Sequence, residues 1–307
     1  MTFKGFISKS IILVATLFCL YLTAASQSRQ TVLTITSEPG STVWIDDIRF
    51  GKTDASGKIT IKNLGGTRHN IRVRADGFKE TAKAVSSPQA EVNIALFKTT
   101  DPAELAFQEA EQLLSRDRQK AADAYRKAIK LRPNYPAAYV GLARVLSDSG
   151  DTDAALKAIR DLRRVAPANA EASAVEGRIY KDMGEEAKAV AAFRRSITQA
   201  RGFQPEAYTG LGLLYKEKAE AAGPAGNLDD EAANYAEAAK DLTTALKQLS
   251  GAPDASVLYQ LLGLVYERQK KFDDAIRVYN EFLERFPDSN EAPTVRSFIE
   301  QIKKQMP

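Results

Sequence analysis

The chain has 307 residues, which is long enough for two domains that each bury a hydrophobic core. Its composition, 44% hydrophobic and 27% charged, is that of an ordinary globular protein, and the net charge of +4 is too small to indicate a nucleic-acid partner. Residues 27–98 contain 11 Lys and Arg against 7 Asp and Glu, whereas residues 99–307 contain 30 against 32. A small basic segment therefore precedes a long, nearly neutral one.

The first 26 residues have the three parts of an export signal. Lys4 and Lys9 precede an apolar run from Ile11 to Leu22, and small residues follow this run up to Ser26. The run is shorter than the ~20 residues that a membrane-spanning helix needs. We therefore expect residues 1–26 to be a cleaved signal peptide and the mature chain to have no membrane span. An uncleaved membrane anchor is the alternative.

The only cysteine lies within this segment. A bacterial lipidation motif has a small residue before its cysteine, but Phe18 precedes Cys19, which argues against a lipid anchor. A mature chain without cysteine suits an oxidising compartment. We therefore expect an exported protein that is periplasmic or associated with the cell envelope.

Residues 30–98 have the pattern of short strands separated by turn residues. Apolar and polar residues alternate strictly within each segment, which is typical of strands with one buried and one solvated face. The inward positions include Leu33, Ile35, Val43, Ile45, Ile59, Ile61, His69, Ile71 and Val73. The pattern predicts a small antiparallel β-sandwich in which the histidine is a core residue.

A set of short motifs recurs through this segment. They are Ser37–Ser41, Val43–Asp47, Gly51–Thr53, Leu64, His69–Val73 and Gly77–Phe78. Together these motifs resemble the PEGA domain of bacterial surface and envelope proteins. The sequence departs from that family at Asp47, where glycine is usual, and at Thr53–Lys58, which is more similar to the carboxypeptidase regulatory-like sandwiches. Both resemblances imply a small non-catalytic β-domain.

Two features of this segment are candidates for ligand binding. One is a set of basic residues at outward positions of two strands that we expect to be neighbours, namely Lys58, Lys62, Arg68, Arg72 and Arg74. This face is either simply solvated or a patch for a polyanion such as an envelope polysaccharide. The other is Trp44, the sole tryptophan, which either packs at an edge or on the helical half, or offers a stacking surface for a sugar.

From residue 101 onward the pattern changes to that of amphipathic helices. Asp101 is a helix N-cap, and Pro102 follows at the first helical position. The clearest helix pair spans residues 262–287, in which Gly263 and Ala275 allow the two helices to approach closely. This pair resembles the tetratricopeptide repeat, whose 34-residue unit is a helix–turn–helix.

We expect about five such repeats in residues 101–290, followed by a capping helix in residues 291–307. The fourth repeat has an insertion at residues 218–232, which is either a lengthening of its helices with a tip or a projecting contact for a partner. The resemblance implies a multi-domain fold with separate β and α parts, a small antiparallel sandwich followed by an α-helical superhelix.

In the repeat family, fixed positions of each first helix line the inner groove, and the groove binds a protein or peptide. In this sequence those positions hold Arg144, Asp148, Arg178, Lys181, Asp182, Lys216, Glu217, Glu267 and Arg268. The Lys–Asn pair with which the family clamps a peptide C-terminus is replaced by Val140 with Arg144 and by Ala174 with Arg178. The resemblance therefore implies a non-enzymatic scaffold or adaptor in a bacterial cell envelope. The alternative is a glycan- or polyanion-binding envelope module that uses the β-domain.

The sequence has no motif for catalysis, for metal binding or for cofactor binding. It contains one histidine and neither His-Glu-x-x-His nor Gly-x-Ser-x-Gly. Gly51–Thr53 has the last residues of a phosphate-binding loop, but Asp46 replaces the required earlier glycine and a strand follows. We therefore expect no enzymatic activity, no cofactor, no metal and no nucleic-acid partner.

Two further expectations concern the packing of the repeats. Three glycines of first helices are expected to face alanines of second helices, with Gly177, Gly212 and Gly263 opposite Ala155, Ala189 and Ala275. Arg144 and Arg178 occupy equivalent positions in adjacent repeats, so we expect them side by side and solvated, with or without an acidic segment of a partner between them. Changing both to Glu should then leave the melting temperature nearly unchanged.

Overall fold

A computed structural model describes residues 32–62, 64, 68–86, 91–249 and 251–306. The predicted signal peptide and its cysteine lie outside these ranges. Among the described helices, none is long and apolar enough to cross a bilayer. Within the described ranges all strands precede all helices, which separates the chain into a β half and a helical half.

The β half is a sandwich of two sheets. Its strands are β1 (Val32–Thr36), β2 (Thr42–Ile45), β3 (Ile48–Lys52), β4 (Lys58–Lys62), β5 (Arg68–Arg74), β6 (Thr81–Ser86) and β7 (Glu91–Asn93). The strand orders are β4-β1-β7 and β3-β2-β5-β6, and each pair is antiparallel except β1–β7, which is parallel. The predicted sandwich is confirmed, and its inward residues, such as Ile35 and Val43, are fully buried.

The turn between β2 and β3 accommodates aspartate where glycine was expected. Asp46 and Asp47 have φ angles of 50° and 66°, a conformation that favours glycine or asparagine. The Asp46 carboxylate accepts a hydrogen bond from the backbone N–H of Asn70 at 2.8 Å and lies 2.7 Å from Nδ1 of His69. These contacts attach the turn to β5. They also give Nδ1 of the buried, inward-facing His69 a hydrogen-bond partner.

The helical half consists of five helix pairs and a final helix. The helices are α1 (Pro102–Leu113), α2 (Arg118–Leu131), α3 (Pro136–Asp148), α4 (Thr152–Val165), α5 (Ala170–Asp182), α6 (Glu186–Gln199), α7 (Pro205–Ala222), α8 (Leu228–Gln248), α9 (Ala255–Arg268), α10 (Phe272–Arg285) and α11 (Ala292–Gln305). The predicted superhelix is confirmed. Helices α7 and α8 have 18 and 21 residues, whereas a typical repeat helix such as α9 has 14, so the extra residues of the fourth repeat lengthen its two helices.

Bulky side chains, not alanines, oppose the three glycines of the first helices. The pairs are Gly177 with Phe193, Gly212 with Leu242 and Gly263 with Tyr279. A β-carbon at Gly177 would lie only 2.5 Å from the nearest ring carbon of its partner. The expected partners, Ala155, Ala189 and Ala275, are buried, but the prediction that they fill the space beside the glycines is wrong. The helices approach closely because each glycine leaves room for a ring or a leucine.

A buried carboxylate on α8 makes stability depend on pH. Asp241 is only 7% exposed, and loss of hydration raises its pKa from 3.8 to about 6, although Lys240 opposes the shift. Because the pKa of Asp241 is higher in the folded than in the unfolded chain, this residue contributes stability below pH ~4, where it is protonated in both states. This contribution is lost as the pH rises through about 6.

Asp241→Asn should therefore increase the free energy of unfolding at pH 7 by about 1–2 kcal/mol, and by less at pH 4. Chemical denaturation at the two pH values measures this difference. The control is Asp123→Asn on the exposed face of α2. Equal stability of the Asp241→Asn and unaltered chains at pH 7 would contradict the prediction.

Candidate functional site

A cleft of about 1000 Å³ lies between the sandwich and the helical half. One wall comes from β2, β3, their turn and β5, including Trp44, Arg49 and Arg72. Residues of α3, α5, α7 and α9, the first helices of the second to fifth repeats, form most of the opposite wall. The cleft is therefore the inner groove of the repeats with the sandwich placed across it.

The sandwich is fixed near the linker between the two halves, residues 98–100, by polar and aromatic contacts with α1. The side-chain amide of Gln108 accepts a hydrogen bond from the N–H of Gly77 at 2.7 Å and donates one to the carbonyl of Phe78 at 2.8 Å. The Arg74 guanidinium lies 4.6 Å from the centre of the Phe107 ring. We name this set of residues the hinge contact.

A second contact lies at the other end of the cleft. Leu249 and Ala252, between α8 and α9, pack against the hydrophobic core of the sandwich, and Ala252 is fully buried there. A β-carbon at Gly251 would lie 3.5 Å from the carbonyl oxygen of Lys62 at the end of β4. We name the packing of Leu249 and Ala252 on the sandwich the latch contact.

Four of the nine predicted groove residues line this cleft, namely Arg144, Arg178, Lys181 and Asp182. Asp148 is next to them, since its Oδ1 lies 3.2 Å from Nη2 of Arg178. Lys181 lies 3.4 Å from Asp182 and 3.1 Å from Glu217. The structure thus groups the predicted residues of the second and third repeats along one wall.

The predicted groove residues further along the chain do not line the cleft. Lys216 pairs with Glu220 of its own helix at 2.8 Å. Glu267 accepts a hydrogen bond of 2.6 Å from the hydroxyl of Tyr279, whose pKa is raised by burial. Glu267 is therefore a packing contact between α9 and α10, and Arg268 is exposed outside the cleft lining. Lys216, Glu217, Glu267 and Arg268 are thus not among the residues that line this cleft, and their place in a partner-binding groove stays a prediction.

Arg144 forms the central ion pairs of the helical wall of the cleft. Its guanidinium donates to both carboxylate oxygens of Glu206, at 2.8 and 2.6 Å, and to Glu171 at 3.2 Å. Burial lowers the pKa of Arg144, but the two carboxylates outweigh this effect and raise it. The expected solvated Arg144–Arg178 pair is wrong, because each arginine has an acidic partner on a neighbouring repeat. Helices α3, α5 and α7 are thus joined by one bidentate network.

The five basic residues of the sandwich do not form one face. Lys58 and Lys62 lie on β4, which pairs with β1, whereas Arg68, Arg72 and Arg74 lie on β5 in the other sheet. The prediction that the two strands are neighbours is therefore wrong. Alternation along a strand indicates which side chains point outward, but it does not indicate which strand lies next to it.

Two of these arginines are also engaged with other groups. Arg72 and Arg74 lie 3.3 and 2.5 Å from the Glu80 carboxylate, and their guanidinium groups lie 4.3 and 5.0 Å from the centre of the Trp44 ring. The two cations cover ring surface that a sugar would need for stacking. Trp44 instead forms part of the cleft wall on the sandwich side.

The cleft has an apolar surface that the sequence analysis missed. Phe203 and Val257 line it with 43% and 58% of their surface exposed, and Leu213 and Leu261 lie in the same lining. A signal was present in α9, where Val257 and Leu261 are spaced four residues apart and widen the apolar face beyond its buried part. Exposed apolar side chains grouped in a concave site are typical of binding surfaces.

Most charges around the cleft are matched, and one exposed cation, Arg49, retains capacity for a ligand. The Arg49 side chain is exposed and has no ion pair within the described part of the chain. Nε of Arg178 also has no hydrogen-bond partner in that part of the chain, but this atom is buried and faces no ligand space. Asp254 is the exposed acidic residue at the α9 end of the lining. Across the described residues, no three side chains of the metal-ligating types come together.

Comparison with known proteins agrees with this architecture. Tetratricopeptide-repeat models match residues 112–179, 170–202 and 224–290, which together cover just over half of the chain. None of the curated protein sequences matches this one.

Solved structures with a similar fold share little sequence with this chain. Yeast Tom70 is 17% identical over 67% of this chain and 41% of its own, with a TM-score of 0.54. The Cut9–Hcn1 hetero-tetramer of the APC/C is 17% identical over 67% of this chain and 37% of that one, with a TM-score of 0.50. MamA is 20% identical over 62% of this chain and 94% of its own, with a TM-score of 0.43. This chain thus spans about two fifths of the Tom70 and Cut9–Hcn1 chains. Through its helical half, which the repeat models match, it belongs to the tetratricopeptide-repeat proteins.

Proposed function

We propose that the protein is a non-enzymatic scaffold that holds an extended segment of a protein partner in the cleft between sandwich and repeats. The observation that carries this proposal is the uncovered apolar surface of Phe203, Leu213, Val257 and Leu261 inside a cleft of about 1000 Å³. Burying exposed apolar area of this kind favours association by roughly 25 cal/mol per Å² before the costs of binding are subtracted.

The walls limit the shape and chemistry of the partner. The sandwich crosses the groove and contacts the helical half at both ends, so a folded domain has no room while an extended chain does. The exposed Arg49, which has no ion pair within the described part of the chain, favours a segment with an acidic group close to its apolar side chains. The proposed partner is therefore a linear segment that combines apolar and acidic residues.

We also propose that the protein is exported and acts in a bacterial cell envelope. The charged, apolar and small-residue parts of residues 1–26 support export, and the resemblance of the β half to envelope β-domains supports a place in a bacterial cell envelope.

Selection from a random library of linear peptides tests the cleft without a known partner. Peptides that bind the full chain should lose at least tenfold in affinity, ~1.4 kcal/mol, when Val257→Glu places a carboxylate on the apolar surface. The matched control is Leu131→Glu, which changes a similarly exposed aliphatic residue of α2 outside the cleft lining. Peptides that bind both variants as well as the unaltered chain would overturn the proposal.

A further inference from the structure

The two contacts that hold the sandwich across the cleft are chemically different. The hinge contact combines hydrogen bonds from Gln108, the stacking of Arg74 on Phe107, and an approach of 3.6 Å between Arg74 and Glu111. It also lies beside the linker, where the N–H of Thr99 donates to the carbonyl of Gly77 at 2.9 Å. Directional contacts and a short covalent connection therefore fix this end of the sandwich.

The latch contact depends on non-directional packing. Its described side chains, Leu249 and Ala252, are aliphatic and reach the sandwich from a turn rather than from a helix face. Leu249 also packs against the core of the last repeats, so the helical half keeps part of its burial when the sandwich moves away. Separating the latch contact therefore exposes Ala252 and the sandwich surface that it covers, whereas Leu249 keeps its packing on the repeats.

We propose that the sandwich is a lid that turns about the hinge contact and is held over the cleft by the latch contact. Opening at the latch widens the entrance next to Val257 and Leu261, and closing encloses the bound segment. The inference concerns the regulation of the proposed binding site and rests on the proposed function for what enters it. The turning of the sandwich depends on the hinge contact and the latch contact alone, and not on what binds in the cleft.

A hinge with directional contacts at one end and non-directional packing at the other predict two states of unequal population. A difference of a few kcal/mol between them corresponds to an open population of ~0.1–10% in the unaltered chain. Any change that removes the latch packing but leaves the hinge intact should invert these populations. The helical content should remain the same, because the cores of the repeats consist of residues of the helical half alone.

Spin labels measure this opening directly. Lys58 on β4 and Glu284 on α10 are exposed and lie outside both contacts, and Cys19→Ser removes the only native thiol, so labelled cysteines at the two positions report one distance. In the full chain without any peptide, we expect one dominant distance. Ala252→Glu places a charge in the latch contact and should shift most of the population to a longer distance.

The matched control is Ala191→Glu, the same change at an exposed position of α6, which should leave the distance unchanged. Ala252→Gln replaces Ala252→Glu if the charged variant fails to fold, as judged by circular dichroism. A folded Ala252 variant that keeps the original distance would overturn the lid, and so would loss of helical structure in both variants, since the two halves would then be one cooperative unit. Failure of library peptides to bind would leave the distance result intact and would count against the proposed function alone.

Discussion

Gly263→Leu should destabilise the chain by about 3 kcal/mol, at the upper end of the usual cost of overpacking. The Tyr279 ring that faces Gly263 cannot move aside easily, because it is 1% exposed, its hydroxyl donates to Glu267, and its centre lies 5.7 Å from that of the Phe298 ring on α11. The free energy of unfolding from chemical denaturation measures the effect. Gln260→Leu, at a half-buried position of the same helix, is the control.

A double-mutant cycle identifies the cause of that destabilisation. If the Tyr279 ring is the obstacle, Gly263→Leu should cost less in a chain that already carries Tyr279→Ala, and the two changes should be coupled by 0.5–3 kcal/mol. Additive effects would show that the ring is not what excludes a side chain at Gly263.

Arg144→Glu should destabilise the chain by about 2–4 kcal/mol, somewhat below the cost of breaking a fully buried pair because 31% of its side chain is exposed. The substitution removes the cation between Glu171 and Glu206 and adds a third carboxylate. Thermal unfolding measures the loss, which should decrease at high salt as the carboxylates are screened.

The comparison variant is Arg164→Glu, whose side chain is 79% exposed and pairs with Asp161 of its own helix. That change should stay within about 0.5 kcal/mol. Equal stability of the two variants would mean that Arg144 is solvated, as the sequence alone implied.

Local patterns predicted the elements of this protein well. Alternation of period two placed Val43 and Ile71 in the core of a sandwich, and small residues such as Gly263 at a recurring helix position identified the repeats. These signals depend on neighbours within a few residues, which the sequence displays directly. The size of the side chain opposite Gly263 is not a local property, and the expected alanine proved to be a tyrosine ring.

The candidate site could be predicted only in part, because it depends on contacts between distant segments. Arg144 was placed correctly on the inner wall, but its bond to Glu206, two repeats away, depends on the curvature of the superhelix. The separation of Lys62 from Arg72 depends on strand order. The cleft itself exists because Gln108 and Ala252 hold the sandwich across the groove, and no periodicity in either half indicates that arrangement.

The position of a bound peptide tests the central claim most directly. A library-selected peptide that carries a photoreactive group should cross-link, within one sample, to the sandwich wall around Trp44 and Arg49 and to the helical wall around Val257, because these walls enclose the same cleft. Mass spectrometry of the adducts identifies the residues. Cross-links confined to the outer helices, or to the sandwich alone, would contradict a binding site between the sandwich and the repeats.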